Sequence, residues 1–164
     1  MKILVADDQP TVRKAMLRIL RELGFSDMAE AEDGYAALSH LKKTRFDLII
    51  SDVHMPAPLP GIPAKSGIDL LEAVRLDPEL RKIPFLIISN DSDMKTVVRA
   101  MQSGVSGYLI KPFTESAVRE KLEMLGFATR ETRLSPSEAG PETEQEPEST
   151  FPAPSDQEFL RTTF

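Results

Sequence analysis

Apolar residues follow two rhythms along the chain. Short unbroken runs, Ile3-Leu4-Val5, Leu48-Ile49-Ile50 and Phe85-Leu86-Ile87-Ile88, stop at acids or turn residues, which predicts strands buried on both faces. Between them apolar positions recur three and four apart, the spacing of a helix face. Val12, Met16, Ile19, Leu20 and Leu23 form the first such stripe and Gly24 ends it. Later stripes are Ala37, Leu38 and Leu41; Ile68, Leu71 and Val74; Met94, Val97, Val98 and Met101; and Val118, Leu122 and Leu125. Strands are predicted over 2–6, 28–31, 46–52, 84–89 and 105–110, the second weakly signalled. Asp91 or Ser92 is placed to cap the fourth helix, and Gly104 to end it. Five strands alternating with five helices predict an α/β fold: a five-stranded parallel sheet, doubly wound with helices on both faces.

The pattern stops near residue 127. Residues 1–127 read as one folded domain, and 128–164 as an acidic tail or linker rich in Pro, Glu, Ser and Thr, too poor in apolar surface to order itself. From Ala128 on, three arginines face eight acids, so the tail holds most of the formal net charge of -6. The near-neutral domain that remains has no basic footprint for nucleic acid. Phe159, Leu160 and Phe164 read as a ragged terminus rather than a tethered docking peptide.

The chain has no cysteine, which removes disulfides, thiolate metal sites and a cysteine nucleophile. No apolar run reaches the ~18 residues of a membrane span, and MKILVADDQP turns acidic too early for a signal peptide. A soluble protein in the cytoplasm, away from membranes, is the expectation.

The candidate chemistry lies where the strands end. The first strand runs into Asp7 and Asp8, the third into Asp52, the fourth into Ser89 and the fifth into Lys111. In open parallel sheets, ligands bind at that edge. Carboxylates about 4 Å apart repel by about 4 kcal/mol at an effective dielectric of about 20, so the cluster calls for a cation. An all-oxygen donor set favours a hard ion such as Mg²⁺, which keeps positions open for water and phosphate oxygens. Lys111 and Ser89 add a cation and a hydroxyl. Together these groups suit a phosphoryl group arriving on the Asp52 carboxylate.

The strand-end sequence Ala6-Asp7-Asp8, the run SDVHMP from Ser51 to Pro56, Ser89 after an apolar strand, and Tyr108 followed by Lys111-Pro112 resemble the receiver domain of bacterial two-component response regulators. The likeness covers residues 1–127 and implies a flavodoxin-like, CheY-like fold. It implies that Asp52 is the phosphoacceptor and that Asp8 and Asp52 ligate Mg²⁺, with Asp7 acting through water and the backbone carbonyl of His54 completing the shell. Ser89 matches a switch hydroxyl that moves to the phosphoryl group, Tyr108 an aromatic switch, and Lys111 a phosphate contact. The Lys111-Pro112 bond is expected to be cis. The implied partners are a histidine kinase or phosphotransfer protein as donor and a downstream output protein, met through the fourth helix, fifth strand and fifth helix. Such a switch catalyses only its own phosphorylation and dephosphorylation.

Three departures stand out. Residues 57–66, with Pro58, Pro60 and Pro63, intervene where the family reaches its next helix within a few residues; the insertion is expected to restrict access to Asp52 or select the donor. Asn90 stands where a small residue is common, and with Asp91 is expected to tune the phosphoaspartate's lifetime. His54 is the third. As an imidazole ligand it lacks company, since His40 lies on the second helix. Met94 and Met101 are read as helix core. Two rival readings remain: a haloacid-dehalogenase-type Mg²⁺-dependent phosphatase, whose second acid would fall at His54, and a receiver-like binding module that is never phosphorylated. A dinucleotide fold fits less well, because the first turn reads Asp-Asp-Gln-Pro where glycines are needed.

Overall fold

In a computed structural model of the chain, the described residues are 1–90, 94–130 and 133. The short apolar runs form β1 (Lys2–Ala6), β2 (Asp27–Ala31), β3 (Leu48–Asp52), β4 (Phe85–Ser89) and β5 (Gly107–Ile110). Every neighbouring pair is parallel and the order is β2-β1-β3-β4-β5. Alternation along each strand divides one unbroken run between two cores. Ile3, Val5, Leu48, Ile50, Leu86 and Ile88 point one way, toward Met16 and Leu20 of α1 (Pro10–Glu22) and Val118 and Leu122 of α5 (Glu115–Met124). Leu4, Ala6, Ile49, Phe85 and Ile87 point the other way. They meet Ala37 and Leu41 of α2 (Gly34–Lys43), Ile68, Leu71 and Val74 of α3 (Gly67–Leu76), and Ala100 of α4 (Met94–Gln102).

Local chemistry sets the helix starts. Pro10 occupies the first turn of α1, where its missing N–H costs nothing. Asp33 accepts from the Ala36 N–H at 2.7 Å, and Ser66 and Asp69 form a reciprocal capping box at α3. The α5 cap is Thr114, which accepts from the Ala117 N–H at 3.2 Å. The Arg75 guanidinium joins two loops: it donates to Gly104 O at 2.9 Å after α4, and to Arg81 O at 3.1 Å and Ile83 O at 2.8 Å before β4.

The fourth helix departs from expectation. Met94, Val98 and Met101, expected in the core, are 70%, 43% and 68% exposed, and Ala100 is the helix's buried residue. Periodicity finds an apolar stripe but not which of two adjacent stripes meets the sheet. Here small Ala100 joins the core, with Val105 and Tyr108 packed beside it. β5 starts at Gly107 rather than 105, because Val105 N–H still closes the end of α4 on Ala100 O at 3.1 Å.

Packing also continues beyond 127. Thr129 is buried and donates to Glu123 Oε1 at 2.9 Å, and Arg130 N–H bonds Leu23 O at 2.8 Å. The Arg133 guanidinium lies 5.7 Å from the Phe25 ring centroid. Residues 134–164, including Phe159, Leu160 and Phe164, lie outside the described residues, as do Asp91 and Ser92. Among the described residues no helix is long and apolar enough to cross a membrane.

Candidate functional site

Register brings the predicted residues together. Ala6 pairs with Ser51, Asp52 with Ile88, and Ser89 with Ile110. One step further along, Asp7, Asp52, Ser89 and Lys111 fall on the same sheet edge. Lys111 N–H donates to Ser89 O at 2.8 Å, which carries the ladder one residue past β5 and aims the lysine back across the strand ends.

Its ammonium is 2.8 Å from Asp7 Oδ2 and 3.4 Å from Asp52 Oδ1, and all three side chains are nearly removed from solvent. Asp7 Oδ1 accepts from the Gln9 N–H at 2.8 Å, so both oxygens of this carboxylate are held. Asp52 Oδ1 accepts from the Val53 N–H at 2.9 Å. The bonds to Asp52 therefore fall on Oδ1. Burial pushes the Asp52 carboxyl above its ordinary value and Asp7 adds to this, while Lys111 opposes it.

Oxygens of Asp7, Asp8 and Asp52 lie within 4.8 Å of one another. Three carboxylates against one lysine leave the cluster short of positive charge, and its donors are all oxygen, so a hard divalent cation fits. Asp8 is half-buried and faces a cavity of about 440 Å³ that His54, Met55 and Pro56 also line. Ser89 is fully buried, and Tyr108 is half-buried against the core that receives Ala100. The Lys111-Pro112 bond is cis.

Sequence reasoning missed three contributors. Arg13 donates to Asp7 O at 2.7 Å and to Glu30 Oε2 at 3.1 Å, holding the first turn from behind. Gly67 permits the start of α3 to touch the end of β3, since a Cβ there would come 1.9 Å from Asp52 O; its N–H bonds Val53 O at 2.8 Å. The third is a cavity of about 400 Å³ beside Lys111, with Thr11, Val12, Ala15, Asn90 and Phe113 in its walls. A glycine opening a helix was a visible signal; an arginine one turn into α1 was not.

A doubly wound parallel sheet with an acidic, lysine-bridged cluster at the strand ends defines the class: an α/β protein of CheY-like architecture. The response regulator receiver domain family model matches residues 3–123. The chain belongs to that family. It is 42% identical over 125 residues to chemotaxis protein CheY-3 of Vibrio cholerae, covering 76% of this chain and 91% of the relative. With chemotaxis protein CheY of Pseudomonas aeruginosa the identity is 41% over 125 residues, covering 76% and 95%. Among solved structures, Vibrio cholerae CheY4 superposes with a TM-score of 0.65 at 30% identity, over 74% of this chain and 95% of that one. The receiver domain of a Syntrophus aciditrophicus signal transduction histidine kinase gives 0.65 at 31% identity, over 76% and 89%. The chain is thus a receiver domain homologous to CheY, a phosphorylation-activated signalling switch rather than an enzyme with an external substrate, and the phosphatase reading is set aside.

Proposed function

We propose that Asp52 accepts the phosphoryl group, through Oδ2. Oδ1 is engaged by the Val53 N–H and lies nearest Lys111, so Oδ2 is the oxygen we assign to attack. Oδ2 forms the new bond to phosphorus as the donor's leaving atom departs with the electron pair of its old one. Lys111, already bridging Asp7 and Asp52, stabilises the charge on the equatorial phosphoryl oxygens, and the Ser89 hydroxyl supplies a further donor once it moves toward them. Asp8 and Asp52, with Asp7 through water and the His54 carbonyl, are the groups we assign to hold Mg²⁺. Bound there, Mg²⁺ neutralises the carboxylates and the arriving phosphate charge.

The same residues serve hydrolysis, so Asp52 phosphorylation and its loss are self-catalysed. A histidine kinase or phosphotransfer protein is the donor we assign, in the cytoplasm. Residues 1–127 form the signalling unit, and 128–164 an appended acidic tail whose first residues pack on it.

The phosphorylated state draws Ser89 inward and lets Tyr108 turn toward the space behind it, shifting the population between two packings of α4, β5 and α5. Exposed Met94, Val98 and Met101, with half-exposed Ile110, give that surface an apolar face for an output protein. The chemotaxis names of the relatives support a protein partner of that kind.

The observation that carries the proposal is the Lys111 bridge between Asp7 and Asp52. Incubation with acetyl phosphate tests it, with intact mass and free phosphate followed together. One Mg²⁺-dependent phosphoryl group per chain, absent in Asp52→Asn and released slowly, is the expected result. Absence of any adduct would return the chain to a binding module.

A further inference from the structure

Residues 57–66 leave the sheet edge after Pro56 and return to it at Ser66. Pro58, Pro60 and Pro63 keep them out of helix and strand. The loop is exposed but anchored at several points. It turns at Gly61, whose φ of 85° suits glycine, and the Ile62 N–H closes on Leu59 O at 3.2 Å. Its return leg lies on the start of α2. The Tyr35 hydroxyl donates to Pro63 O at 3.1 Å, and the Lys65 ammonium lies 5.3 Å from the Tyr35 ring centroid. Gly34 makes room for this leg, because a Cβ there would come 2.8 Å from Lys65 O. The capping box at Ser66 then fixes the point of return.

The position of this leg has a chemical consequence. Ala64 and Ser66 line, together with Asp8, His54, Met55 and Pro56, the cavity of about 440 Å³. On the other side of the site, the cavity beside Lys111 is walled by the first turns of α1 and by Phe113, with no part of the loop in it. Among the described residues, the inserted segment thus borders the site on the Asp8 side and not at the cavity beside Lys111.

We propose that Tyr35 is a positioning residue for donor choice: it holds 57–66 as a fixed wall on the Asp8 side of the cluster, and that wall limits the bulk of the phosphoryl donor that reaches Asp52. The inference rests on Asp52 as acceptor and adds what selects the donor. A leaving group that is narrow next to phosphorus enters past the wall, whether free or presented by a protein donor, and a broader one meets it. In either case the leaving atom departs with the electron pair of its bond to phosphorus as the bond to Asp52 forms. The wall changes access, not chemistry.

Acetyl phosphate and benzoyl phosphate, which share the reacting group and differ mainly in bulk, test this on the full chain, Tyr35→Phe, Tyr35→Ala and a chain lacking 58–63. The readout is the ratio of the two phosphorylation rates, split into kcat and KM. Release of the wall is expected to raise the benzoyl-to-acetyl ratio about tenfold in Tyr35→Ala and the shortened chain, the scale on which a pocket wall sorts groups by size. Tyr35→Phe, which keeps the ring but not the bond to Pro63, falls between. Thermal melting checks folding; if the shortened chain does not fold, Tyr35→Ala decides. A merely structural role for Tyr35 would slow both donors alike, and an unchanged ratio in Tyr35→Ala overturns the inference while leaving Asp52 as acceptor. No transfer from either donor to the unaltered protein overturns both.

Discussion

Asp52 combines a buried carboxyl, a second carboxylate behind it and a lysine that only partly compensates. Its pKa in the fold is raised by burial above the ordinary 3.8, so the native state holds this proton more tightly than the unfolded chain does. The penalty for ionising it is absent below pH 3.8 and fully present above the raised value. Asp52→Asn should therefore stabilise the protein in chelator at pH 7, by about 1 kcal/mol in urea unfolding, and the gain should shrink as the pH falls toward the ordinary carboxyl range. A gain independent of pH would remove the electrostatic explanation. Mg²⁺ at ten times its dissociation constant should stabilise the unaltered chain by about 1.4 kcal/mol and Asp52→Asn by clearly less.

Gly67 acts at the same scale through volume alone. A methyl group at Gly67 would meet Asp52 O at 1.9 Å, so either α3 moves or the end of β3 does. Gly67→Ala should cost about 3 kcal/mol, the upper range for overpacking, and slow the loading of Asp52. Unfolding curves and phosphorylation rates check the two effects separately. The acids, Ser89 and Lys111 were legible because each stands where an apolar strand stops. Arg13 was not, because its partners are a backbone carbonyl and an acid on another strand.

Among the elements, β3 and β4 were the most legible, since runs such as Leu-Ile-Ile have no polar face to offer solvent on either side. The fourth helix was legible as a helix and misread in orientation. Its apolar residues cover two neighbouring stripes, and the sheet takes the smaller residue, Ala100, where Tyr108 already occupies space. Polar substitution of Met94 or Met101 should then change stability by no more than about 0.5 kcal/mol, whereas Ala100→Leu should cost about 2 kcal/mol. The reverse order in thermal melts would place the methionines back in the core. Arg75 illustrates what composition hides: its role depends on three carbonyls from two loops that meet only in the folded chain. Arg75→Ala should cost about 2 kcal/mol, and Arg75→Lys should recover little, because an ammonium cannot reach all three carbonyls at once.

For the molecule as a whole, topology turns separate sequence signals into one site. Reversal of the strand order around β1 and β3 brings Asp7 and Asp52 side by side, and β4 and β5 extend the same edge to Ser89 and Lys111. Alternating strands and helices placed these residues at one end of a parallel sheet, but their convergence depends on β1, β3, β4 and β5 lying side by side, an order the alternation alone leaves open. The wall built by 57–66 was visible only as an insertion, since its anchor on Tyr35 joins residues 28 positions apart. A boundary near residue 127 was expected from composition; the packing of Thr129 and Arg130 beyond it depends on a hydroxyl and a backbone N–H, which carry no hydropathy signal.

The central claim is that the strand-end cluster loads phosphate on Asp52. Borohydride reduction of the chain after treatment with acetyl phosphate and Mg²⁺, followed by peptide mapping, locates an acyl phosphate by converting its aspartate to homoserine. Homoserine at position 52, dependent on Mg²⁺, is the predicted result. Homoserine at Asp7 or Asp8 instead, or none at any position while the protein remains folded, would contradict it.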